Sequence, residues 1–277
     1  MSRVAAAASM MVAAWLGGCS IGARPEPEER AKANSAGEAS LAAVVAGSWR
    51  SEAERAEDAR RRPEQTLRFL GLGPGETVVE VWPGAGWCTQ ILAPYLARTG
   101  GRYYAAHPSV VTTGPEGKEL VARFRSDVAA RPDLYGRVRE GDFGDGGGRL
   151  GLGPESADLV LFPERLHYWM AAGLAEAAFA EAYEALRPGG RLGVIQDRAP
   201  SSGAQDPIAR DGRVQQAFVV ALAGEAGFVL DAAPLIHPRA GQAEGGYERM
   251  VLRFRKPMTR GAVLSAQPNV AAPGASL

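Results

Sequence analysis

The sequence carries no excess charge of either sign, has few cysteines and lacks an apolar segment long enough to cross a membrane. Its 31 basic and 31 acidic residues balance. Nucleic acids and anionic lipids attract excess positive charge, so we expect neither as an electrostatic partner. Two cysteines, Cys19 and Cys88, are too few for a disulfide framework. The apolar run at residues 4–16 is shorter than the roughly 20 residues of a spanning helix. Nothing in the sequence indicates a metal site or a protein partner.

The rest of the composition indicates one globular domain between polar ends. The chain has 277 residues, of which 46% are apolar and 22% charged, the profile of a soluble protein with a substantial core. Residues 19–45 are polar and rich in alanine, glutamate and proline, which predicts a flexible tether. We expect the folded domain at residues 46–257 and a disordered tail at residues 258–277.

The N-terminus has the pattern of an export signal. A single early charge, Arg3, precedes the apolar run, and the run ends in Leu-Gly-Gly-Cys at residues 16–19. This ending resembles the lipobox of bacterial lipoproteins, which implies that residues 1–18 are a signal peptide and that Cys19 is lipidated. We therefore predict an exported, membrane-anchored protein of the bacterial cell envelope. A simple cleaved signal, or a misassigned start before a cytosolic protein, are the alternatives.

The hydrophobic pattern from residue 77 onward predicts an α/β fold. Strands and helices alternate, which indicates right-handed βαβ units and a parallel sheet. Two further apolar segments, residues 227–236 and 247–257, are joined by a loop alone and should pair antiparallel. The alternating strands are predicted at residues 77–82, 102–106, 136–140, 157–162 and 191–197, with helices at 87–97, 115–130, 170–187 and 211–226.

Two helices are predicted before the first strand, at residues 51–62 and 63–72. Ser51 and Glu54 have the spacing of a capping box at the start of the first. The arginine run at its end, residues 60–62, is typical of a solvated helix face. Arginines that lead into a ligand-binding domain can alternatively line the mouth of its site.

The stretch "VVEVWPGAGW" at residues 78–87 predicts a ligand site at the carboxyl end of the first strand. Ligands of open α/β sheets bind at such ends, and Gly84 and Gly86 would let backbone approach a ligand closely. A tight strand-to-helix turn without a ligand is the alternative. A dinucleotide is disfavoured, because Thr89 stands where the third glycine of that fingerprint belongs and His107 where its acid belongs. An oxidoreductase is disfavoured with it. We interpret Cys88 as buried packing.

Three motifs in order resemble the class I S-adenosylmethionine (SAM) methyltransferases. They are Glu80 with the glycine turn, "GD" at residues 141–142 and "LRPGG" at residues 186–190. The resemblance implies a Rossmann-like sheet that is mostly parallel and seven-stranded, with an antiparallel terminal hairpin and helices on both faces. It also implies SAM as the cofactor and methyl transfer as the activity.

More narrowly, residues 50–255 resemble a family of exported bacterial proteins that are predicted to be methyltransferases. That family has a Trp-Pro-Gly turn, which corresponds here to Trp82 to Gly84. The segments "ERLHYWM" at residues 164–170 and "DRAP" at residues 197–200 also resemble its sequence patterns. His107 departs from the methyltransferase pattern, because an acid usually stands there to hold the ribose hydroxyls. The segment "RLHYW" at residues 165–169 is also less polar than the corresponding segment that is typical of the family.

The resemblance implies three sets of site residues. Arg165 and His167 are the predicted catalytic residues, although a lone histidine is more often structural. Trp169, Asp197 and Arg198 are the predicted substrate pocket, but Trp169 equally suits a buried helix face and the other two an ion pair. The predicted cofactor contacts are Glu80, Trp82, Pro83, Gly84, Gly86, His107, Asp142 and Phe143.

The sequence thus predicts a SAM-dependent methyltransferase that acts on a small molecule. SAM is made in the cytoplasm, whereas the N-terminus predicts export, so a second hypothesis stays open. In that hypothesis the protein binds a small ligand on a methyltransferase fold without catalysing a reaction.

Overall fold

Alternating strands and helices build one mixed eight-stranded sheet in the computed structural model of the chain, which describes residues 41–108, 110–144, 150–232, 234–238 and 248–258. Its order is β3-β2-β1-β4-β5-β8-β6, with β7 also paired to β8. The first five strands are parallel, and β8 is antiparallel to its three neighbours. The strands are β1 (Thr77–Val81), β2 (Arg102–Pro108), β3 (Val138–Phe143), β4 (Ala157–Pro163), β5 (Leu186–Arg198), β6 (Val229–Leu230), β7 (Leu235–Pro238) and β8 (Glu248–Arg255).

Helices cover both faces of this sheet, as the sequence predicts. One core contains Leu67, Leu92 and Phe124, which lie on helices before and between the first strands. The other contains Trp169 and Phe179 from later helices. Residues 41–45, which were expected to end the tether, are helical, with Leu41 and Val44 in the first of these cores. The described helices after them are α1 (Glu52–Ala56), α2 (Asp58–Arg61), α3 (Pro63–Phe69), α4 (Thr89–Thr99), α5 (Val110–Ala130), α6 (Pro132–Tyr135), α7 (Leu166–Ala172), α8 (Ala175–Ala185) and α9 (Gln216–Glu225).

The terminal hairpin is confirmed, but its first arm is broken in two. The sequence predicts one strand at residues 227–236, whereas the structure has β6 and β7 with Pro234 between them. Proline has no N–H to donate to β8, so it interrupts the pairing. The sheet therefore has eight strands and not the seven expected.

A predicted helix is likewise divided, and one strand is displaced. The helix expected at residues 170–187 is α7 followed by α8, with Gly173 at φ +68° ending the first. Strand β3 begins at Val138 and not at residue 136, because α6 occupies the preceding residues. The capping box is confirmed: Ser51 Oγ accepts from the N–H of Glu54 at 3.2 Å, and Glu54 Oε2 accepts from the N–H of Ser51 at 2.7 Å.

Most of both chain ends lies outside the described residues. The predicted signal peptide and Cys19 are among residues 1–40, as is most of the tether, and the predicted tail is described only at Met258. In the ranges given above, the structure has no helix with the length and apolar character that a membrane span requires.

Arginines of β8 fasten the N-terminal helices to the sheet. Arg249 donates to the carbonyl of Arg61 at 2.6 Å, and Arg253 donates to the carbonyl of Phe69 at 2.7 Å. Both carbonyls lie at helix ends, where backbone acceptors lack intrahelical partners. The last strand therefore sets the position of α2 over the carboxyl ends of the central strands.

Gly141 of the "GD" motif has a structural reason to be glycine. A Cβ at this position would overlap the backbone nitrogen of Gly151. Two backbone segments meet there, so no side-chain rotation can relieve the overlap.

We predict that Gly141→Ala destabilises the protein by roughly 2–4 kcal/mol, because backbone would have to move. Gly224→Ala is the matched control: it lies inside α9, with no atom within 4 Å of the added carbon. Gly224→Ala should raise the free energy of unfolding by about 0.5–1 kcal/mol. Urea unfolding of both variants measures the difference, and equal stability of the two would contradict the argument.

Candidate functional site

A cavity of about 350 Å³ opens at the carboxyl ends of β1, β4 and β5. This is the edge where open α/β sheets bind ligands. The first strand contributes Glu80 and the turn after it, β4 contributes the residues after its end, and β5 contributes Gln196 and Asp197. The lining residues are Arg61, Glu80, Pro83, Ala85, Trp87, Cys88, Pro163, Glu164, Arg165, His167, Tyr168, Gln196, Asp197 and Gly212.

Glu80 is a buried carboxylate whose described hydrogen-bond donors are hydroxyls. Its residue is 1% exposed. Tyr103 donates to Glu80 Oε2 at 2.5 Å, and Thr89 donates to the same oxygen at 3.2 Å. Burial raises the pKa of Glu80 to about 7, against the opposing effect of these hydroxyls and of the nearby Arg165 charge. Among the described residues, no arginine or lysine forms an ion pair with it.

The hydroxyl cluster can accommodate Glu80 in its ionised form and in its protonated form. The Thr89 and Tyr103 hydroxyl oxygens are 2.9 Å apart, so three short O···O contacts join the two hydroxyls and the carboxylate. Two hydroxyl protons supply only two of these contacts when Glu80 is ionised. A proton on Glu80 supplies the third. A cation placed against the carboxylate would instead favour its ionised form.

Three residues of the turn after β1 have left-handed backbone conformations, and one of the three is not glycine. Trp82 has φ +58°, followed by Gly84 at +60° and Gly86 at +83°. Glu164, after β4, has φ +56°. Glu164 lines the cavity and Trp82 lies in the turn beside it, and a side chain in this conformation costs of order 1–3 kcal/mol. Backbone strain of this kind is concentrated at functional sites in proteins.

Arg165 lies over the glycine turn. A Cβ on Gly84 would overlap its Nη2 atom, so the absent side chain makes room for the guanidinium. The guanidinium carbon is 5.6 Å from the ring centroids of both Trp82 and Tyr168. These two rings are 5.7 Å apart. The Trp-Pro-Gly turn therefore positions an arginine as well as a backbone loop.

Glu164 joins three parts of the chain at the cavity wall. Its Oε1 is 2.9 Å from Arg249 of β8, and its Oε2 accepts from Arg61 of α2 at 3.1 Å. Burial alone would raise the pKa of Glu164, but the two arginines outweigh it and hold the pKa below its usual value. The charge of Glu164 is thus balanced within the protein. Arg61 also confirms the alternative that the arginine run reaches the mouth of the site.

His167 lies in the cavity wall, hydrogen-bonded to Gln196. The Gln196 amide nitrogen donates to the carbonyl of Gly212 at 2.7 Å, and this fixes which end of the amide is the donor. The same nitrogen is 3.2 Å from His167 Nδ1, which must then be the acceptor. Nε2 consequently carries the ring proton in the neutral form. Burial lowers the pKa of His167, which favours that neutral form.

Several predicted site residues lie in the cavity, and others do not. The wall includes Glu80, Pro83, Arg165, His167 and Asp197, with Trp82, Gly84 and Gly86 in the adjoining turn. Cys88 also reaches the wall; burial raises its thiol pKa well above the usual value, in agreement with a packing role.

Phe143 and Trp169 are in the core and not at the cavity. Both are fully buried, with ring centroids 5.1 Å apart, and Trp169 also packs edge-on against Phe162. In this arrangement neither ring therefore has an exposed surface for the predicted stacking of Phe143 on a ligand or for the predicted pocket wall at Trp169. Trp169 instead lies on the buried face of α7, which was the alternative interpretation of this residue.

The remaining predicted residues are placed away from the cavity. His107 is 3% exposed, and Phe124 of α5 covers it edge-on with ring centroids 4.8 Å apart. Asp142 is exposed beside it on β3. Arg198 pairs with Glu248 at 2.7 Å across β5 and β8, which is an ion pair between strands and not the intraloop pair that the alternative expected.

Several cavity residues were not predicted from the sequence, and four of them carry polar or aromatic side chains. Glu164, Tyr168 and Gln196 lie within or next to quoted motifs, but only the fold shows which way their side chains point. Trp87 stands beneath Arg61, whose guanidinium carbon is 4.7 Å from its ring centroid. The sequence pattern that indicates this contact is the arginine run at residues 60–62 together with an aromatic residue directly after the glycine turn.

Comparison with known proteins gives a fold and no closer relative. No family model matches the chain, and no curated protein matches it in sequence. The structure of the [4+2]-cyclase SpnF superposes with a TM-score of 0.53 at 16% identity, over 73% of this chain and 82% of that one. A putative methyltransferase from Bacillus halodurans gives 0.52 at 15%, over 71% and 99%. The YcgJ protein from Bacillus subtilis gives 0.52 at 12%, over 72% and 99%.

These similarities establish that the chain has the Rossmann-like fold of such proteins. At identities of this size a shared fold does not carry a reaction with it. The cyclase and the putative methyltransferase illustrate this point, because their names describe different chemistry on a similar framework.

We predict that Glu80 makes the free protein less stable as pH rises from about 4.5 to about 7. Its folded pKa is raised, so the folded state binds more protons than the unfolded state in that window. The loss is at most about 3 kcal/mol and is complete above the folded pKa. Glu80→Gln should lack this component. Urea unfolding at pH 5 and pH 8 measures the unfolding free energies of variant and wild type. The stability of the variant relative to wild type should increase from pH 5 to pH 8, and a difference that does not change with pH would contradict the assignment.

Proposed function

We propose that the protein is a SAM-dependent methyltransferase that acts on a small molecule. The observation that carries the proposal is Glu80: a buried carboxylate at the end of the central strand, in a cavity, with no cationic partner among the described residues. A carboxylate buried in this way is costly unless a ligand or a proton compensates its charge. The glycine turn beside it and the fold of the sheet support a nucleoside-linked ligand.

The residues at the cavity fit SAM. The cofactor carries an ammonium group and supplies a methyl group on a positively charged sulfur. Glu80 would hold the ammonium, and the backbone of Gly84 and Gly86 would allow close approach of the ligand. The resemblance to methyltransferases assigns the same role to Glu80.

The protein's own contribution is to position an acceptor and to exclude water. His167 has its Nδ1 lone pair engaged by Gln196, so in this arrangement it donates from Nε2 and orients an acceptor oxygen or nitrogen. Its proposed action as a base would require Gln196 to release Nδ1. Asp197 is the other titratable group at that end of the cavity.

A second candidate is a small-ligand-binding protein without turnover. One observation favours it: His107, at the position where methyltransferases usually keep a ribose-binding acid, is sealed beneath Phe124. A ligand that does not reach β2 would suit this arrangement. The cavity beside Glu80 serves either function.

We predict that SAM binds the purified protein and binds more tightly as pH rises from 6 to 8, because ionised Glu80 is the form that holds an ammonium. Glu80→Gln should weaken binding at least about tenfold at pH 8 and remove the pH dependence. Glu176→Gln, an exposed glutamate on α8, is the matched control and should bind as wild type. Titration calorimetry in two buffers of different ionisation enthalpy measures the affinity and the proton released.

Absence of heat at millimolar SAM would contradict both the cofactor and the methyltransferase proposals. Binding without formation of S-adenosylhomocysteine over a broad panel of acceptors would favour the second candidate.

We also propose that the protein is an exported lipoprotein of the cell envelope. Support comes from the sequence alone, because residues 1–40 are outside the described residues. We predict that Cys19→Ser abolishes incorporation of labelled palmitate in a bacterial host and moves the protein from the membrane to the soluble fraction. A variant that stays membrane-bound, with labelling like that of wild type, would refute the anchor.

A further inference from the structure

The guanidinium of Arg165 lies over two aromatic rings and has no charge partner among the described residues. Trp82 and Tyr168 both lie within cation–π distance of it, at 5.6 Å. Tyr168 is 48% exposed, so one of these rings also borders solvent. Aromatic rings do not supply the oxygen acceptors that the guanidinium N–H donors use. In the part of the chain that the structure describes, no hydrogen bond or ion pair occupies those donors.

The other arginine of the cavity wall, Arg61, already has carboxylate partners. Glu164 is shared between Arg61 and Arg249, and Arg61 also contacts Glu57, at 3.5 Å. His167 favours its neutral form, and Glu80 is bound by hydroxyls. Arg165 is therefore the cation of the cavity wall that lacks a carboxylate within 4.0 Å among the described residues.

The position of Arg165 suits a ligand that enters the cavity. Arg165 itself lines the cavity, its Nη2 atom lies over Gly84 in the adjoining turn, and its backbone follows β4 on the side of the cavity where His167 lies. A planar guanidinium matches the geometry of a carboxylate with two parallel hydrogen bonds. Neighbouring aromatic rings offer a flat surface to whatever carries that carboxylate.

We propose that Arg165, braced by Trp82 and Tyr168, is the binding group for a carboxylate on a ligand of this cavity. Two sources share that chemistry: the carboxylate of the methyl donor itself, and a carboxylate on an aromatic acceptor. The site assignment is independent of the reaction, whereas the first source rests on the proposed function.

The test uses matched pairs of probes that differ in the carboxylate. S-adenosylhomocysteine and its decarboxylated analogue represent the donor, and benzoate and benzamide represent an aromatic acceptor. Three variants of the full chain are compared with wild type by calorimetry. Arg165→Met removes the charge, Arg165→Lys keeps the charge but loses the planar pair of donors, and Arg210→Met removes an exposed arginine as the control.

We expect wild type to prefer the carboxylate member of one pair. Arg165→Met should weaken that member by roughly 10–100-fold, as expected for loss of hydrogen bonds to a charged group, and leave the other member unchanged. Arg165→Lys should fall between, and Arg210→Met should match wild type. Thermal unfolding of each variant shows that it is folded.

The pair that responds identifies the source. An effect confined to S-adenosylhomocysteine assigns the donor, and an effect confined to benzoate assigns an aromatic acceptor. Wild type that binds benzoate through Arg165 but does not bind S-adenosylhomocysteine would refute the methyltransferase and retain the carboxylate site. Folded Arg165→Met with wild-type affinity for both carboxylates, or wild type that binds neither carboxylate, would overturn the inference.

Discussion

The structure of the site depends on one constraint: a carboxylate, Glu80, is buried at the carboxyl end of the central strand of a parallel sheet. Strands on both sides exclude water from it, and two hydroxyls are the donors that reach it. Thr89 is one of them, which explains why a side chain stands where a dinucleotide fold would place its third glycine. The hydroxyls stabilise an ionised Glu80 and burial opposes it more strongly, so the carboxylate either takes up a proton or binds a cationic ligand.

The surrounding arginines have other partners and do not neutralise the charge of Glu80. Arg61 and Arg249 are committed to Glu164, which fastens the N-terminal helices and the last strand to the end of β4. Arg165 approaches Glu80 closely enough to lower its pKa, but it is held by aromatic rings and the glycine turn. Strained backbone occurs at Glu164 in the cavity wall and at Trp82, whose ring lies against Arg165, and the rest of the sheet stabilises that strain.

The fold was predictable because it depends on periodicity, whereas much of the site depends on side-chain direction. Alternation of strands and helices predicted the parallel sheet and its antiparallel end, but Pro234 and Gly173 divided elements that looked continuous. Burial of Trp169 and Phe143 follows from which face of an element meets the core, and a motif does not state this. His107 is at the predicted strand end, yet its cover comes from Phe124, distant in sequence. Gly141 belongs to a recognised motif, although close backbone packing is reason enough for it.

The central claim is that Glu80 is a buried acid that becomes ionised when a cationic ligand binds. Carbon-13 NMR of the Glu80 carboxyl, assigned with Glu80→Gln and titrated in the free protein and with saturating SAM, tests it most directly. The account predicts a pKa of about 7 in the free protein and a clear fall of that pKa when SAM is bound. An ordinary glutamate pKa in the free protein, or a pKa that saturating SAM leaves unchanged, would contradict it.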